Sequence, residues 1–206
     1  MKNITRFIAI AGVATLGAMA LPAVLIYNLN TIYTGGTPGG PAPWVTITMS
    51  DIVANKVNVL VEHSASSTIG QFVSNVYLNL DPFVSGITLS NEVNANKRDN
   101  HNTALNGING GAGQTFDLEI NFITSNSGGG VNRLKPGEFW SGNLTGTGLS
   151  TTNFISANKD GYFAAAKIQG IDGGAISSHF GVVPEPATLL IFSVGVTAIL
   201  HRRRRK

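Results

Sequence analysis

Residues 115–123 read Thr-Phe-Asp-Leu-Glu-Ile-Asn-Phe-Ile, and this stretch decides the fold class. Apolar and polar residues alternate along it, and successive side chains of a β-strand point to opposite faces of the sheet. The period of two therefore predicts a strand with one face toward a core and one toward water. The predicted inward residues are Phe116, Leu118, Ile120 and Phe122, and the predicted outward residues are Asp117, Glu119 and Asn121.

The same alternation recurs along the chain and predicts further strands. They are expected at residues 44–50, 57–63, 76–80, 83–90, 139–144 and 161–170. Clusters of Gly, Pro, Asn and Asp separate them, and no amphipathic helical pattern lies between them. Short strands with glycine-rich turns and no helical crossovers predict an all-β domain over residues 21–176, an antiparallel β-sandwich with the jelly roll as one form. Residues 177–183 are expected to be a linker.

Composition and charge exclude several classes of function. Cysteine is absent, which rules out disulfides, thiolate metal sites and a cysteine nucleophile. The isoelectric point near 9.3 suggests a nucleic-acid partner, but half of the 14 basic residues lie at the two ends of the chain. Residues 21–183 hold seven basic and ten acidic residues, a net charge of −3. Such a body lacks the positive field that phosphate binding requires, so no nucleic-acid partner is expected.

The N-terminal end has the pattern of a secretory signal peptide. Two basic residues precede an uncharged apolar stretch, residues 7–20, which closes on Ala18-Met19-Ala20. A basic start, a short apolar region and small residues before the cut predict passage through the export machinery and cleavage after Ala20, so that residues 1–20 are the signal peptide. The alternative is an uncleaved anchor, because residues 21–27 prolong the apolar character.

The C-terminal end combines three features within residues 184–206. Pro184-Glu185-Pro186 comes first, and its prolines favour an extended backbone. Residues 187–200 follow without a charge, and as a helix they would span about 21 Å of a hydrocarbon layer of about 30 Å. Arg202, Arg203, Arg204, Arg205 and Lys206 then predict a stop-transfer signal on the cytoplasmic side. We therefore expect a short transmembrane helix with a rigid entry that a membrane-embedded enzyme could grip along its backbone.

This order of motif, apolar span and arginine cluster resembles the tripartite sorting signal of PEP-CTERM proteins. The resemblance rests on Pro184, Glu185 and Pro186, on the span, and on Arg202 to Arg205. It implies export by a Gram-negative bacterium that makes extracellular polysaccharide. It also implies transient membrane anchoring and cleavage near the motif by an exosortase-type membrane enzyme. It implies no role for the body of the chain.

The body offers several candidates for chemistry, each with a structural alternative. Asp117 and Glu119 could act as an acid–base pair, but their alternation with apolar residues favours a solvated strand face. The four histidines lack the spacing of a metal-binding helix, and no Gly-x-Ser-x-Gly motif marks a nucleophile. Residues 94–102 could offer oxygen ligands to calcium, but their Lys and Arg favour a solvated loop. The glycine-rich residues 35–41 and 107–113 predict turns and not phosphate sites.

Aromatic residues are the remaining candidates, because their rings can stack on the apolar faces of sugars. Trp44 begins a strand and is expected inside. Trp140, followed by Ser141-Gly142-Asn143, is the candidate for glycan stacking, with core packing as the alternative.

The sequence as a whole predicts an exported protein of the cell surface or of an exopolysaccharide or biofilm matrix. We expect it to be neither an enzyme nor a cofactor or metal protein, and to be sorted by an exosortase-type membrane enzyme. The alternative is a secreted carbohydrate-binding module that holds extracellular polysaccharide. A secreted hydrolase is a third and less favoured hypothesis.

Overall fold

In a computed structural model, which describes residues 24–174 and 176–183, the chain forms eleven β-strands in two antiparallel sheets. The strands are β1 Val24–Leu29, β2 Thr31–Gly35, β3 Val45–Val53, β4 Lys56–His63, β5 Phe72–Leu78, β6 Thr88–Val93, β7 Arg98–Asn109, β8 Thr115–Phe122, β9 Phe139–Thr145, β10 Ala164–Ile171 and β11 Ile176–Val182. Short helical turns lie at Ala95–Lys97, Ser127–Gly130, Thr151–Phe154 and Asp172–Gly174. The five-stranded sheet has the order β1-β3-β4-β9-β6, and the six-stranded sheet has the order β2-β11-β10-β5-β8-β7. The predicted all-β class is confirmed, and the jelly-roll form stays a prediction.

The main hydrophobic core lies between the two sheets. Ile47 and Val59 of the five-stranded sheet belong to the same buried cluster as Leu118 and Phe180 of the six-stranded sheet. The stretch that decided the fold class contains β8, and its four predicted inward residues are all buried. Leu118, Ile120 and Phe122 belong to this core, whereas Phe116 packs with Tyr77 and Ala165 in a second buried cluster on the other side of the sheet. Each methylene group removed from water stabilises the fold by about 0.8 kcal/mol. Two sheets that cover each other in this way form a β-sandwich.

Asp117 corrects the prediction of a fully solvated outer face on β8. Its side chain is buried, whereas Glu119 and Asn121 are partly exposed as predicted. One carboxylate oxygen of Asp117 accepts a hydrogen bond from the backbone N–H of Leu80, at 2.8 Å, and the other accepts one from that of Asn106, at 2.5 Å. The pairing of β7 with β8 is interrupted at Asn106. A buried carboxylate is tolerated only with such partners. The two oxygens of Asp117 therefore act as hydrogen-bond acceptors for backbone N–H groups that the interrupted strand pairing leaves without a backbone carbonyl.

The predicted linker at residues 177–183 is also wrong. Strand β11, Ile176–Val182, lies inside the six-stranded sheet between β2 and β10. Ser178 and Phe180 have no exposed surface. The polar residues of this segment hide its strand character from a sequence pattern. The segment is a strand because it pairs with β2 and β10, and not because its own apolar and polar residues alternate. The folded domain therefore extends to Val182.

The polar segment at residues 94–102, predicted to be a solvated loop, belongs to the sheet as well. It contains a short helical turn and the start of β7, which is twelve residues long and lies at the edge of the six-stranded sheet. Among the described strands, β7 pairs with β8 along one edge and has no neighbour along the other. Most of its side chains are exposed. A polar composition suits such an edge strand because charged and amide side chains discourage further pairing.

Trp140 is buried, so its predicted role as a surface stacking residue is wrong. The ring has no exposed surface and packs edge-on against Phe122, with 5.7 Å between the ring centroids. Its indole N–H donates a hydrogen bond to Glu92 Oε2 at 3.0 Å. The strand alternation places the neighbouring Phe139 outward instead, where it is 40% exposed. The predicted burial of Trp44 is confirmed.

We predict that Trp140→Ala lowers the free energy of unfolding by about 3–5 kcal/mol, because the substitution leaves a large cavity between the sheets. Urea denaturation followed by far-UV circular dichroism measures the change. Phe139→Ala is the matched control, since this adjacent aromatic ring is partly exposed, and it should change the free energy by less than about 1 kcal/mol. Equal losses in the two variants would contradict the assignment of Trp140 to the core.

Candidate functional site

The outward face of the six-stranded sheet carries two adjacent rows of side chains that cross five strands. Strand register places the residues of each row opposite one another, and their sequence neighbours face the core. The first row is His179, Lys167, Asn75, Asn121 and Asn100, on β11, β10, β5, β8 and β7 in that order. The second row is Gly181, Ala165, Tyr77, Glu119 and Asn102 on the same strands. We call these two rows the polar sheet face.

Amide and carboxylate groups form a continuous hydrogen-bond network on the β5, β8 and β7 part of this face. The Asn75 side-chain amide donates to Glu119 Oε1 at 2.9 Å and to Asn121 Oδ1 at 2.5 Å. Asn121 in turn donates to Asn100 Oδ1 at 2.6 Å, and Asn102 donates to Glu119 Oε2 at 3.3 Å. These bonds fix the orientation of each side chain. The remaining donor and acceptor positions therefore point in set directions before any ligand arrives.

An aromatic corner adjoins the network. The ring centroids of Tyr33 and Tyr162 are 4.9 Å apart, and His179 lies 6.1 Å from Tyr33 and 6.4 Å from Tyr77 by the same measure. The Tyr33 hydroxyl donates to the backbone carbonyl of Gly110 at 2.7 Å, which fastens the β7–β8 turn over the corner.

Gly111 allows this turn to approach the imidazole ring. The residue has a φ of +88°, and a Cβ atom there would come within 2.9 Å of His179 Nε2. The glycine-rich residues 107–113 thus form a turn, as predicted, and the turn also closes one side of the aromatic corner.

The polar sheet face carries one lysine and one glutamate, Lys167 and Glu119, and its other polar groups are uncharged at neutral pH. Burial, aided by the positive charge of Lys167, lowers the pKa of His179 to about 4. Burial also raises the pKa values of the Tyr33 and Tyr77 hydroxyls. The imidazole and the phenols are therefore uncharged, and they lie beside amide groups. Uncharged hydrogen-bonding groups next to aromatic rings complement the hydroxyls and C–H faces of sugars.

The other residues considered from the sequence do not converge on one site. His63 Nδ1 lies 3.1 Å from the carbonyl oxygen of Leu134, and His101 Nε2 lies 3.0 Å from that of Ile87. Among residues 24–174 and 176–183, no three histidine, aspartate or glutamate side chains gather as metal ligands.

No pattern in the sequence marks Tyr33, His179 and Asn75 as members of one surface. The outward positions of β8 were the available signal, since Glu119 and Asn121 were expected to face water. The strands that flank β8 are set by the sheet order, which no single alternation pattern reveals.

Comparison with known proteins assigns one part of the chain. Residues 182–206 match the PEP-CTERM protein-sorting motif. No curated protein matches the chain. No solved structure matches it either. Within the described residues, no helix has the length and apolar character of a membrane span.

The molecule is thus an all-β protein whose last strand leads directly into a sorting signal. Residues 182–206 of this chain thus carry a PEP-CTERM protein-sorting motif. The motif implies that an exported, membrane-anchored precursor is processed by exosortase, a membrane enzyme. The sorting residues Pro184 to Pro186, the basic cluster and the signal peptide with its cleavage site lie outside the described residues.

We predict that His179 stays neutral down to about pH 5, because its pKa in the folded protein is near 4 and unfolded histidine titrates near 6.5. The imidazole signals in NMR spectra recorded from pH 8 to pH 4 measure this directly, with the urea-unfolded chain as the control. Protonation favours the unfolded state, so the free energy of unfolding should fall as the pH drops below about 6.5. A His179 midpoint near 6.5 in the folded protein would contradict the burial of this ring.

Proposed function

We propose that this protein is a non-enzymatic component of the cell surface or of an extracellular polysaccharide matrix. In this proposal a Gram-negative bacterium exports it through an N-terminal signal peptide, and an exosortase-type enzyme cuts it near Pro184, Glu185 and Pro186. The observation that carries the proposal is the sorting motif at residues 182–206, which begins at the last residue of β11. The β-sandwich is then the passenger that sorting delivers to the surface.

A non-enzymatic role is supported by the way the described titratable side chains are used. Asp51 accepts hydrogen bonds from the backbone and the hydroxyl of Thr151, both at 2.8 Å. Glu92 pairs with Arg98 and accepts the indole N–H of Trp140. Groups committed to structural bonds in this way stabilise the fold, and general acid–base catalysis needs groups that are free to exchange a proton with a substrate.

We predict that residues 181–206 suffice for sorting. Fused to an inert exported reporter in a host with the matching exosortase, they should cause C-terminal trimming and transfer of the reporter to the surface or the medium. Mass spectrometry of the product locates the cut. The matched control carries Glu185→Ala in the same fusion, which should remain untrimmed. A wild-type fusion that is neither trimmed nor relocated would refute the sorting role.

A second candidate function is carbohydrate binding, favoured by the geometry of the polar sheet face. Trp140 cannot take part, because it is buried. The proposed binding groups are the amides of Asn75, Asn121 and Asn100, with Tyr33 and Tyr162 of the aromatic corner as stacking surfaces. Fixed amides beside aromatic rings are a common arrangement in sites that recognise uncharged polar ligands.

We predict that Asn121→Ala weakens binding to a neutral extracellular polysaccharide about two- to tenfold, the effect of one lost hydrogen bond. Retention of the exported protein on the immobilised polysaccharide, measured at increasing protein concentration, provides the affinity. Asn28→Ala is the matched control, because it removes an exposed amide from the five-stranded sheet. Retention that does not saturate, or that both variants reduce equally, would argue against binding at the polar sheet face.

A further inference from the structure

A cleft of about 520 Å³ lies at one end of the sandwich, apart from the polar sheet face. Its volume is in the range of small-molecule sites. Hydroxyl, amide and guanidinium groups line it, together with an exposed carboxylate at the rim. The polar residues are Thr37, Thr68, Gln71, Arg133, Gln169 and Asp172. We call it the end cleft.

Two loops form one wall of the end cleft by close backbone packing. The glycine-rich segment after β2 lies against the loop that precedes β5, where the backbone N–H of Thr68 donates to the carbonyl of Gly39 at 3.3 Å. A Cβ atom at Gly39 would come within 1.9 Å of Thr68 Oγ1. Glycine is therefore needed at position 39, because a larger residue there would force the two loops apart. This position lies in the glycine-rich segment Gly35-Gly36-Thr37-Pro38-Gly39-Gly40-Pro41.

Arg133 is held in a fixed orientation within this cleft. Its Nε and Nη2 both donate to the backbone carbonyl of Thr124, at 3.0 and 2.7 Å. Its guanidinium carbon lies 4.1 Å from the centroid of the Phe72 ring, a cation–π contact. The turn at Gly130 has a φ of +66°, and a Cβ there would come within 2.8 Å of Arg133 Cδ. Glycine at position 130 therefore leaves room for the arginine side chain.

The positive charge of Arg133 has no carboxylate partner among the described residues. The ion pairs within that part of the chain join Lys97 to Glu138, Arg98 to Glu92 and Lys159 to Asp160. Asp172 also lines the cleft but makes no ion pair with Arg133, and its exposure to water weakens its field there. Within the described part of the chain, Arg133 donates hydrogen bonds through Nε and Nη2 but not through Nη1. The Nη1 group is thus available to an anion.

A second polar group in the cleft also lacks a partner. Gln71 is 3% exposed, and its Oε1 has no hydrogen-bond partner among the described residues. A buried amide oxygen without a partner is costly in a folded protein. Gln71 and Arg133 line the same cleft from different loops. In the chain as the structure describes it, the residues that line the end cleft therefore include both an amide oxygen without a hydrogen-bond donor, in Gln71, and a guanidinium without a carboxylate partner, in Arg133.

The position of the cleft in the fold suits a ligand outside the cell. Strand β11 starts beside Asp172 to Gly174, which line the cleft, and ends at Val182, where the sorting motif begins. Seven residues of strand span about 20 Å. The cleft therefore lies at the end of β11 opposite to the start of the sorting motif.

We propose that the end cleft binds the carboxylate of an acidic sugar, a uronic acid unit of an extracellular polysaccharide, with Arg133 as the anion-binding residue. A planar carboxylate matches the planar guanidinium, and the amide and hydroxyl groups of the cleft match the sugar hydroxyls. This inference rests on the proposed function only for the extracellular setting. It concerns a different surface and a charged ligand, so it can fail without the proposed function failing.

The test is calorimetric titration of the full-length chain in nonionic detergent with a galacturonic acid oligomer. The methyl ester of the same oligomer is the ligand control, because esterification removes the charge and keeps the sugar. We expect the acid form to bind and the ester to bind at least about tenfold more weakly, which is the effect of losing a charge-assisted hydrogen bond.

Variants assign the effect to one residue. Arg133→Gln should reduce affinity for the acid at least about tenfold, and Arg133→Lys should reduce it less, since it keeps the charge and loses the planar fork. Lys135→Gln is the matched control, because it removes the same charge two residues away and Lys135 is not among the cleft residues. Equal binding of acid and ester, or unchanged binding by Arg133→Gln, would overturn the proposal. Asn121→Ala should leave acid binding intact, which separates this site from the polar sheet face.

Discussion

The structure depends on one constraint, that each of two sheets has an apolar face which only the other sheet can cover. Alternating strands generate those faces, and the hydrophobic effect brings them together. Phe122 and Trp140 show the result, since they lie on different sheets and pack edge to face in the buried layer. Once the inner faces are fixed, the outer faces are fixed too, because every second side chain of a strand must point away from the core. The polar sheet face is therefore a consequence of the core.

Where strand pairing is interrupted, buried polar side chains form hydrogen bonds with the backbone groups that lack a partner in a neighbouring strand. Asp117 accepts the backbone N–H groups of Leu80 and Asn106. Asn79, also buried, donates to the backbone carbonyls of Tyr162 and Phe163 at 2.8 and 3.1 Å. Buried backbone groups without partners would destabilise the sandwich, so these residues allow loops to cross its ends. The abundance of Asn and the low fraction of charged residues, 12%, agree with this use of neutral hydrogen-bonding side chains.

The order of elements gives the domain a direction that bears on its role. Strand β11 runs from the end cleft to Val182, and residues 182–206 carry the sorting motif. Among the residues that the structure describes, the chain is paired as β11 up to Val182, the residue at which the motif begins. A processing enzyme in the membrane must therefore work next to a folded domain.

The sequence by itself determined the all-β class, most strand positions and the sorting signal, because each is a local pattern: a period of two, or a short motif followed by an apolar run and basic residues. It did not determine which strands are neighbours, and its predictions for Trp140, Asp117 and residues 177–183 were wrong for that reason. The polarity of Asp117 and the sparse alternation of β11 concealed burial that comes from distant partners. Only the tertiary structure placed Arg133 over Phe72 and His179 beside Tyr33, since strand order depends on packing between residues far apart in the chain.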